Sequence, residues 1–327
     1  MKRFLVSIIF LLIGAFLLAW VINFVGWEQI KAVFRKFSGP DGLAILALTF
    51  LGIIFATLRW REIIKSHGYI FPTKKLLRPI LIARAIDYLA PTIPFGGTIF
   101  QGYILKEKFG LPWKTSISTA LADQVLEITS RLIFISCGLI FFLVMIGLPP
   151  LKLAIVLAVC LFASSVPVFF FYFKSHRRES IIKIFFKRRS RFLEAEDEFF
   201  NFLNIKNVAF WKSLVFSVLH EGTFFLRSFL LILLLGGKFL SFFSALSVFA
   251  FSTLIQLIPI PAALGSHEIV QTFVFSSLGL GKEMATAFTM IIRGADLIFA
   301  FLGIFLILGL GVKLSLNFNQ KEEDTKK

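Results

Sequence analysis

Long uncharged apolar runs alternate with short polar stretches along most of the chain. A helix that spans a bilayer needs about 20 consecutive, mostly apolar residues. Two runs of that length, 4–25 and 153–173, carry no charged residue. The pattern predicts an all-α polytopic membrane protein with about six full transmembrane helices. We place these spans at roughly 4–25, 42–58, 114–146, 153–173, 211–235 and 285–311.

Two further apolar segments are interrupted by clusters of Pro and Gly. They are 78–109, which contains "PTIPFGGT" at 91–98, and 239–278, which contains "PIPAALGS" at 259–266. In a helix interior, Pro costs about 3 kcal/mol and Gly about 1 kcal/mol relative to Ala. Irregular backbone at membrane depth has to be buried in protein or line a wet cavity, because lipid cannot satisfy its polar groups. We therefore predict two re-entrant hairpins, each made of two short helices.

The stretches that follow the two interruptions are similar. Each continues with an apolar half-helix and a Gly-Leu pair, at 110–111 or 279–280. Glu127 and Asp296 each lie seventeen residues after the glycine of that pair. The predicted topology brings the first hairpin in from the cytoplasm and the second from outside, so we predict an inverted repeat. Inverted repeats with broken helices are typical of secondary transporters, which bind substrate near the bilayer midplane.

Composition and charge agree with a membrane protein. The chain has 57% hydrophobic residues, 43 Phe and a net charge of +16. Its Lys and Arg residues cluster beside the ends of apolar runs, as the positive-inside rule predicts for cytoplasmic segments. When residues 59–78 are counted as a cytoplasmic loop, most of the 35 Lys and Arg lie in segments on the cytoplasmic side of the membrane. We predict a multi-pass protein of the cell membrane with both termini cytoplasmic and no nucleic-acid partner.

A single transmembrane domain is predicted over 1–313, followed by a polar cytoplasmic tail at 314–327. Within the domain, residues 174–210 form an amphipathic cytoplasmic connector, in which apolar groups alternate with basic and acidic clusters. We interpret the connector as a helix that lies on the membrane surface. A function in gathering anionic lipid headgroups is the alternative.

Ionisable residues at membrane depth are costly unless they are paired or hydrated, so each is a functional candidate. The ones predicted there are Arg84, Asp87, Asp123, Glu127, Arg131, His220, Glu221, Arg227, His267, Glu268, Arg293 and Asp296. Ion pairs that only fix helix packing are the competing interpretation, which applies best to Arg84 and Asp87, three residues apart. The remaining arginines have the planar shape that holds a phosphate with two hydrogen bonds.

The hairpins offer a second kind of anion-binding group. A helix start carries free N–H groups and the positive end of the helix dipole. Thr98 and Ser266 have hydroxyls that can cap the helices starting there. We therefore predict a substrate site that combines helix starts, arginines and acids. Its residues are Gly96, Gly97, Thr98, Glu127, Arg131, Glu221, Arg227, Gly265, Ser266, Glu268, Arg293 and Asp296.

Sequence motifs for catalysis and for metal binding are missing. His267-Glu268 lacks the second His, four residues after His267, that a zinc-protease motif requires. The chain also lacks a Gly-x-Ser-x-Gly elbow and a phosphate-binding Gly-Lys-Ser/Thr loop. We therefore predict no metal, no cofactor and no catalytic residue.

The two Pro/Gly motifs carry a resemblance to a known family. With "LAPTIPFGG" at 89–97 and "PIPAALGSHE" at 259–268, the chain resembles the membrane flippase region of bacterial lysylphosphatidylglycerol synthases and their stand-alone relatives. The resemblance covers about 4–311. Four positions of the second motif match the family pattern, while two alanines replace its glycines: Pro259, Pro261, Gly265 and Glu268 match, and Ala262 and Ala263 differ.

The first motif also departs from the family pattern. Thr98 and Gln101-Gly102 stand where the family usually has Glu and Arg after the glycines. Asp123-Gln124 replaces the usual Glu-Arg pair of the next span. These differences concern the choice of substrate more than the fold.

The resemblance implies an integral membrane protein that moves a lipid between leaflets. It implies no aminoacylation, because the synthases carry that activity in a soluble domain. We expect a flippase-like transporter of a phospholipid or a polyprenyl-phosphate-linked lipid. Its partners are membrane lipids, met through an anionic headgroup or phosphate, and a homo-oligomer is left open. The alternatives are a lipid-processing membrane enzyme, such as a polyprenyl-phosphate-dependent transferase, and a non-transporting membrane scaffold subunit.

Overall fold

The computed structural model describes residues 39–89, 96–180, 190–204, 206–236, 241–256 and 266–326. Within these residues, all the regular secondary structure is helical. The helices are α1 (Pro40–Ser66), α2 (Thr73–Leu89), α3 (Gly96–Phe109), α4 (Trp113–Met145), α5 (Leu151–Arg177), α6 (Ser190–Phe202), α7 (Val208–Leu234), α8 (Phe242–Ile255), α9 (Ser266–Ser277) and α10 (Lys282–Lys326). The predicted span at 4–25 lies outside the described residues.

Five helices are long and apolar enough to cross a membrane: α1, α4, α5, α7 and the Lys282–Gly309 part of α10. They coincide with five of the six predicted spans, and the predicted class, an all-α polytopic membrane protein, is confirmed. Local sequence sets the ends of α1. Pro40 stands in its first turn, where a missing N–H costs nothing. The helix ends just before Gly68, which adopts a left-handed conformation.

Both interrupted segments form pairs of short helices, as their Pro/Gly clusters predict. The first gives α2 and α3, and the second gives α8 and α9. Their lengths are 17, 14, 14 and 12 residues, below the roughly 20 residues that cross a bilayer. The links at 90–95 and 257–265 lie outside the described residues, and the re-entrant course of the hairpins stays a prediction.

The connector and the tail contain more helix than the predicted boundaries imply. Helix α5 continues to Arg177, and α6 packs its apolar face into the protein. Phe199 and Phe202 of α6 are buried in a cluster with Ile63 of α1 and Leu126 of α4. This face therefore contacts other helices instead of lying free for a membrane surface. At the other end, α10 continues as helix to Lys326.

Helices α1 and α7 cross near the centre of the molecule. Each has 27 residues, and they begin 168 positions apart in the chain (40 to 208). Arg59, late in α1, donates to the hydroxyl of Ser217, early in α7. Thr49, early in α1, accepts from Arg227, late in α7. The two helices therefore run antiparallel. Each donates from an arginine late in its sequence to a hydroxyl early in the other helix.

The first helix of each hairpin packs against the long helix that follows the other hairpin. Gly303 of α10 faces the Leu81 carbonyl of α2, and a Cβ at that glycine would lie 2.7 Å from this oxygen. Gly138 of α4 faces the Leu246 carbonyl of α8 in the same way. A side chain at either glycine would push the helices apart, so both contacts depend on close backbone approach.

Candidate substrate site

Arg59 lies at the centre of a packed group of polar side chains, which we call the packed cluster. Its Nε and Nη2 bind the two carboxylate oxygens of Asp123 at 2.6 and 3.1 Å, and Nη2 also binds Glu127 at 2.7 Å. Nη1 donates to Ser217 at 3.1 Å. The Gln101 amide completes the cluster by donating to Asp123 at 3.4 Å. Arg59 is only 1% exposed and donates through all three nitrogens.

Glu127 links the packed cluster to a second group of charges. Its Oε1 accepts from Arg131 at 2.8 Å, one helical turn further along α4. Arg131 in turn contacts Glu221 of α7 at 3.4 Å. Arg84 of α2 approaches the other oxygen of Glu127, with 3.9 Å between its Nη2 and Oε2. Three arginines from three helices therefore surround one carboxylate.

His220 holds Arg84 in place. The ring Nε2 lies 2.7 Å from the Nη2 of Arg84, and the ring Nδ1 lies 2.8 Å from the carbonyl oxygen of Gly52. A guanidinium can only donate, so Nε2 accepts and the ring is neutral. The single ring proton then lies on Nδ1 and is donated to Gly52. His220 thus fixes Arg84 of α2 against the backbone of α1.

Arg227 of α7 is the counterpart of Arg59 in the second half. Its Nη1 donates to Asp296 at 2.7 Å and to the Thr49 hydroxyl at 3.0 Å. Its guanidinium carbon lies 4.6 Å from the centre of the Phe224 ring, a cation–π distance. Its Nε is buried and has no hydrogen-bond partner among the described residues.

A cavity of about 130 Å³ opens beside these arginines, and we call it the central cavity. Its polar wall includes Arg84, Tyr88, Arg131, Glu221, Arg227 and Asp296. Its apolar wall includes Ile53, Phe224, Phe249, Ile292 and Phe299. The buried hydroxyl of Tyr88, like Arg227 Nε, has no partner in the described part of the chain. A water needs roughly 10–15 Å³ of such space, so the central cavity has room for several waters or a small polar group.

The start of α3 is tied to α2 by a side chain of this protein. The Gly97 N–H donates to the Asp87 carboxylate at 2.8 Å. A Cβ at Gly97 would also lie 2.6 Å from the Ala83 carbonyl oxygen, so only glycine fits here without a shift. The anion that meets this helix start is therefore Asp87. Thr98 lies within α3 and donates to Gln124 at 3.0 Å, so the predicted role of its hydroxyl as the helix cap is wrong.

The second hairpin is held by polar contacts between its own two helices. The Ser252 hydroxyl of α8 lies 2.8 Å from Nε2 of His267, which is buried in α9. The Gln271 amide donates to the Val248 carbonyl at 3.3 Å. Glu268, in the first turn of α9, forms a two-bond ion pair with Arg293 of α10. This pair connects the hairpin to the following long helix.

The predicted site residues fall into three groups. Arg131, Glu221, Arg227 and Asp296 line the central cavity. Thr98 and Glu127 line a separate space of about 20 Å³ next to the packed cluster, close to Gly96 and Gly97 at the start of α3. Glu268 and Arg293 form the pair between α9 and α10. Ser266 begins α9, and Gly265 lies outside the described residues.

The sequence analysis missed several polar residues of the site. Arg59 was assigned to a cytoplasmic loop, but α1 continues to Ser66 and buries it. A spacing in the sequence identifies Arg59: it stands 32 residues before Pro91, as Arg227 stands 32 residues before Pro259. The same spacing links Thr49 to Ser217, which stand 42 residues before Pro91 and Pro259. Tyr88 gives no comparable signal, because a lone hydroxyl in an apolar run does not stand out. Arg84 and Asp87 do not act mainly on each other, since Arg84 contacts His220 and Asp87 contacts Gly97.

The described part of the chain places no group of three or more His, Cys, Asp or Glu where it could hold an ion. Its buried charged side chains include several arginine–carboxylate pairs between helices.

The fold and the cavity define a class: a multi-pass α-helical membrane protein with arginine–carboxylate pairs around a buried polar cavity. Comparison with known families makes this more specific. Residues 7–303 match the family described as the lysylphosphatidylglycerol synthase TM region. The chain belongs to this family, and the resemblance inferred from its Pro/Gly motifs is confirmed. The match concerns a membrane region and indicates no catalytic domain.

Similar proteins are known from archaea. The UPF0104 membrane protein MJ1595 of Methanocaldococcus jannaschii is 23% identical over 302 residues, covering 88% of this chain and 89% of the relative. The UPF0104 membrane protein PH1989 of Pyrococcus horikoshii is 24% identical over 316 residues, covering 90% and 92%. No solved structure matches this chain.

Proposed function

We propose that this protein is a flippase-like lipid transporter, and that the central cavity holds the phosphate of a lipid headgroup during transport. The observation that carries the proposal is that three arginines converge on one buried cavity. Arg84, Arg131 and Arg227 line it together with the acids Glu221 and Asp296. Arginine is the side chain best suited to hold a phosphate through two parallel hydrogen bonds.

Unused hydrogen-bonding capacity supports a ligand in this cavity. Arg227 Nε and the Tyr88 hydroxyl are buried without a partner among the described residues. Leaving such a group unsatisfied costs about 1–3 kcal/mol, and at membrane depth an unsatisfied charge costs more. Both atoms are closed to solvent in this structure, so a phosphate oxygen or a water would remove that cost only after a neighbouring side chain moves. The acids that now bind the arginines would then compete with the phosphate for the same donors.

The shape of the cavity wall supports a lipid as the source of the phosphate. Phe224, Phe249 and Phe299 line it together with Ile53 and Ile292. A lining that combines charged and aromatic side chains suits a molecule with a charged head and an apolar tail. Membership of the lysylphosphatidylglycerol synthase TM-region family favours the same class of ligand.

We further propose that the two halves are related as an inverted repeat, with transport by rocking of one half against the other. The antiparallel contact of α1 with α7 supports this relation. Arg59 of α1 binds Ser217 of α7, and Arg227 of α7 binds Thr49 of α1. Within each helix the arginine stands ten positions after the hydroxyl residue. In transporters built this way, the substrate site lies between the repeats. The central cavity has lining residues from both parts of the chain, such as Arg84 and Arg227, which supports the proposal.

Lipid transfer in reconstituted vesicles tests the proposal. Labelled phospholipids and a labelled polyprenyl phosphate are supplied in one leaflet, and their appearance in the other is measured. We expect protein-dependent transfer of at least one phosphate-bearing lipid. Ser228→Leu should abolish it, because Ser228 lines the central cavity and leucine would fill it. Val215→Leu is the control, on an exposed position of the same helix.

The other outcomes separate the competing functions. Chemical conversion of a supplied lipid would favour a lipid-processing enzyme. Correctly inserted protein that transfers none of these lipids would favour a scaffold subunit. Equal transfer by wild type and Ser228→Leu would remove the central cavity from the transport path. Thr253→Leu fills the same cavity from α8 and replaces Ser228→Leu if that variant does not fold.

A further inference from the structure

A second cavity, of about 180 Å³, lies between α2, α3 and α10 and shares no lining residue with the central cavity. We call it the lateral crevice. The side chains around it that matter here are Arg78, Ile82, Phe100, Ile104, Lys108 and Phe305. It is therefore apolar except for two cations, and it forms a space distinct from the proposed transport site.

The crevice includes open space beside α10. At Gly303, α10 is in backbone contact with α2, since a Cβ there would lie 2.7 Å from the Leu81 carbonyl oxygen. Gly309, which lines the crevice, leaves room instead, because a Cβ there would meet nothing within 4 Å.

The two cations lie at one end of the crevice. Arg78 belongs to the early part of α2 and Lys108 to the last turn of α3. Because α2 and α3 form a hairpin, these positions share its open end, where Lys74, Lys75 and Lys106 also stand. The positive-inside rule predicts that such an end faces the cytoplasm. Charge thus lies at the mouth of the crevice, and apolar side chains lie deeper.

The corresponding place in the other half does not carry these charges. At the 168-position separation that relates Arg59 to Arg227, Arg78 corresponds to Leu246 and Lys108 to Ser276. In an inverted repeat that place faces the opposite side of the membrane, so the difference follows the positive-inside rule. Cations on the cytoplasmic side attract the anionic lipids of that leaflet, and each Lys or Arg near the surface contributes about 1 kcal/mol.

The geometry points to the lateral crevice as a binding site for an anionic phospholipid of the cytoplasmic leaflet. The lipid phosphate would lie between Arg78 and Lys108. An acyl chain would extend from there along the apolar side chains of Ile82, Ile104 and Phe305. This site is independent of the proposed transport activity, because it involves none of the residues of the central cavity.

Lipid binding to the purified full-length protein in neutral detergent tests this inference. The probes are dioleoyl phosphatidic acid, whose charge is confined to the phosphate, and dioleoyl phosphatidylcholine. Binding is measured by native mass spectrometry and by the lipid-induced rise in melting temperature. We expect phosphatidic acid to bind at least about tenfold more tightly than phosphatidylcholine, given two cations at the site.

Three variants locate the binding. Arg78→Gln/Lys108→Gln should remove the preference for phosphatidic acid, and the exposure of both side chains leaves folding unaffected. Lys75→Gln/Lys106→Gln removes two charges from the same end of the hairpin but none from the crevice, so it should keep the preference. Gly309→Leu should weaken the binding of both lipids, because it fills open space beside the acyl chain.

Two results would overturn the inference. One is that Arg78→Gln/Lys108→Gln still prefers phosphatidic acid to phosphatidylcholine, and the other is that Lys75→Gln/Lys106→Gln loses this preference to the same extent. Stabilisation by inorganic phosphate as large as that by phosphatidic acid would replace the lipid with a free anion. Arg227→Gln should leave intact the part of the phosphatidic acid binding that Arg78→Gln/Lys108→Gln removes, so failure of the transport proposal and failure of this one are distinguishable.

Discussion

Arg59 in α1 and Arg227 in α7 stand 168 positions apart, and each donates to a hydroxyl on the helix of the other. Each also binds an acid of a long helix at 2.7 Å, Glu127 for Arg59 and Asp296 for Arg227. The surroundings differ. Arg59 binds a second acid, Asp123, with two nitrogens, whereas Arg227 has a buried Nε without a partner among the described residues and faces the central cavity.

This difference separates a structural arginine from a binding arginine. A buried arginine that donates from all three nitrogens holds helices in register, and removal of one partner leaves an uncompensated charge. A buried arginine with an unused donor beside open space has capacity for a ligand. The volumes of the neighbouring cavities agree with this distinction. The cavity beside Arg59 measures about 20 Å³, and the central cavity beside Arg227 measures about 130 Å³.

The largest effect is expected for Arg59→Ala. Asp123, which is 3% exposed, would lose its two-bond partner and remain buried. We expect a loss of about 3–5 kcal/mol in the free energy of unfolding, seen as a large fall in melting temperature in detergent. Replacing both partners, as Arg59→Met/Asp123→Leu, should recover much of the stability. A wild-type melting temperature for Arg59→Ala would mean that the packed cluster does not hold the fold.

Arg227→Gln should affect transport more than stability. Glutamine keeps a donor for Asp296 and Thr49 but removes the charge that faces the central cavity. A hydrogen bond to a charged group contributes about 1.5–3 kcal/mol, so lipid transfer in vesicles should fall by roughly ten- to a hundredfold. Lys65→Gln, on an exposed lysine of α1, serves as the control. Unchanged transfer by folded Arg227→Gln would remove the distinction between the two arginines.

Gly97→Leu tests how tightly the first hairpin is packed beside Arg59. The new side chain would press on Asp87 and on the Ala83 carbonyl of α2. Overpacking of this kind costs about 1–3 kcal/mol, so we expect a lower melting temperature and, with it, lower activity. Gly222→Ala in α7 is the matched control, because its Cβ would make an ordinary contact with Phe134 at 3.8 Å. Normal stability with blocked transport would instead indicate an open anion site at the start of α3.

The smallest effects are expected for the two hydroxyls. Ser217→Ala removes the acceptor that Arg59 Nη1 uses among the described residues, together with the bonds of that hydroxyl to the Leu126 carbonyl and to Ser130. Each net hydrogen bond contributes about 1 kcal/mol. Thr49→Val removes an equivalent acceptor from Arg227, but a water in the central cavity can replace it. The unfolding free energy should therefore fall more for Ser217→Ala. Equal losses would show that the two surroundings do not differ in hydration.

Much of the architecture could be predicted from the sequence because its causes are local. Apolar runs mark five of the observed long helices, and the Pro/Gly clusters mark both hairpins, since the cost of these residues depends on their own backbone. The same holds for the two motifs that identify the family. Four predicted site residues, Arg131, Glu221, Arg227 and Asp296, do meet at one cavity.

The errors share a physical cause. Arg59 resembled a loop residue because a charge after an apolar run normally marks the membrane surface. It is buried because Asp123, 64 residues away, and Ser217, 158 residues away, compensate its charge and its donors. Thr98 resembled a helix cap, but the carboxylate of Asp87 takes the nearby Gly97 N–H. Contacts of this kind depend on side chains brought together from distant positions.

By itself, the sequence determined where helices form and where they break, because hydropathy and backbone cost are properties of a few neighbouring residues. Only the tertiary structure decided which arginine binds two carboxylates and which one faces open space. The reason is that the partners of a guanidinium are the groups that the fold brings within hydrogen-bonding distance. Arg227 and Thr49, which are 178 residues apart in the chain, are such a pair.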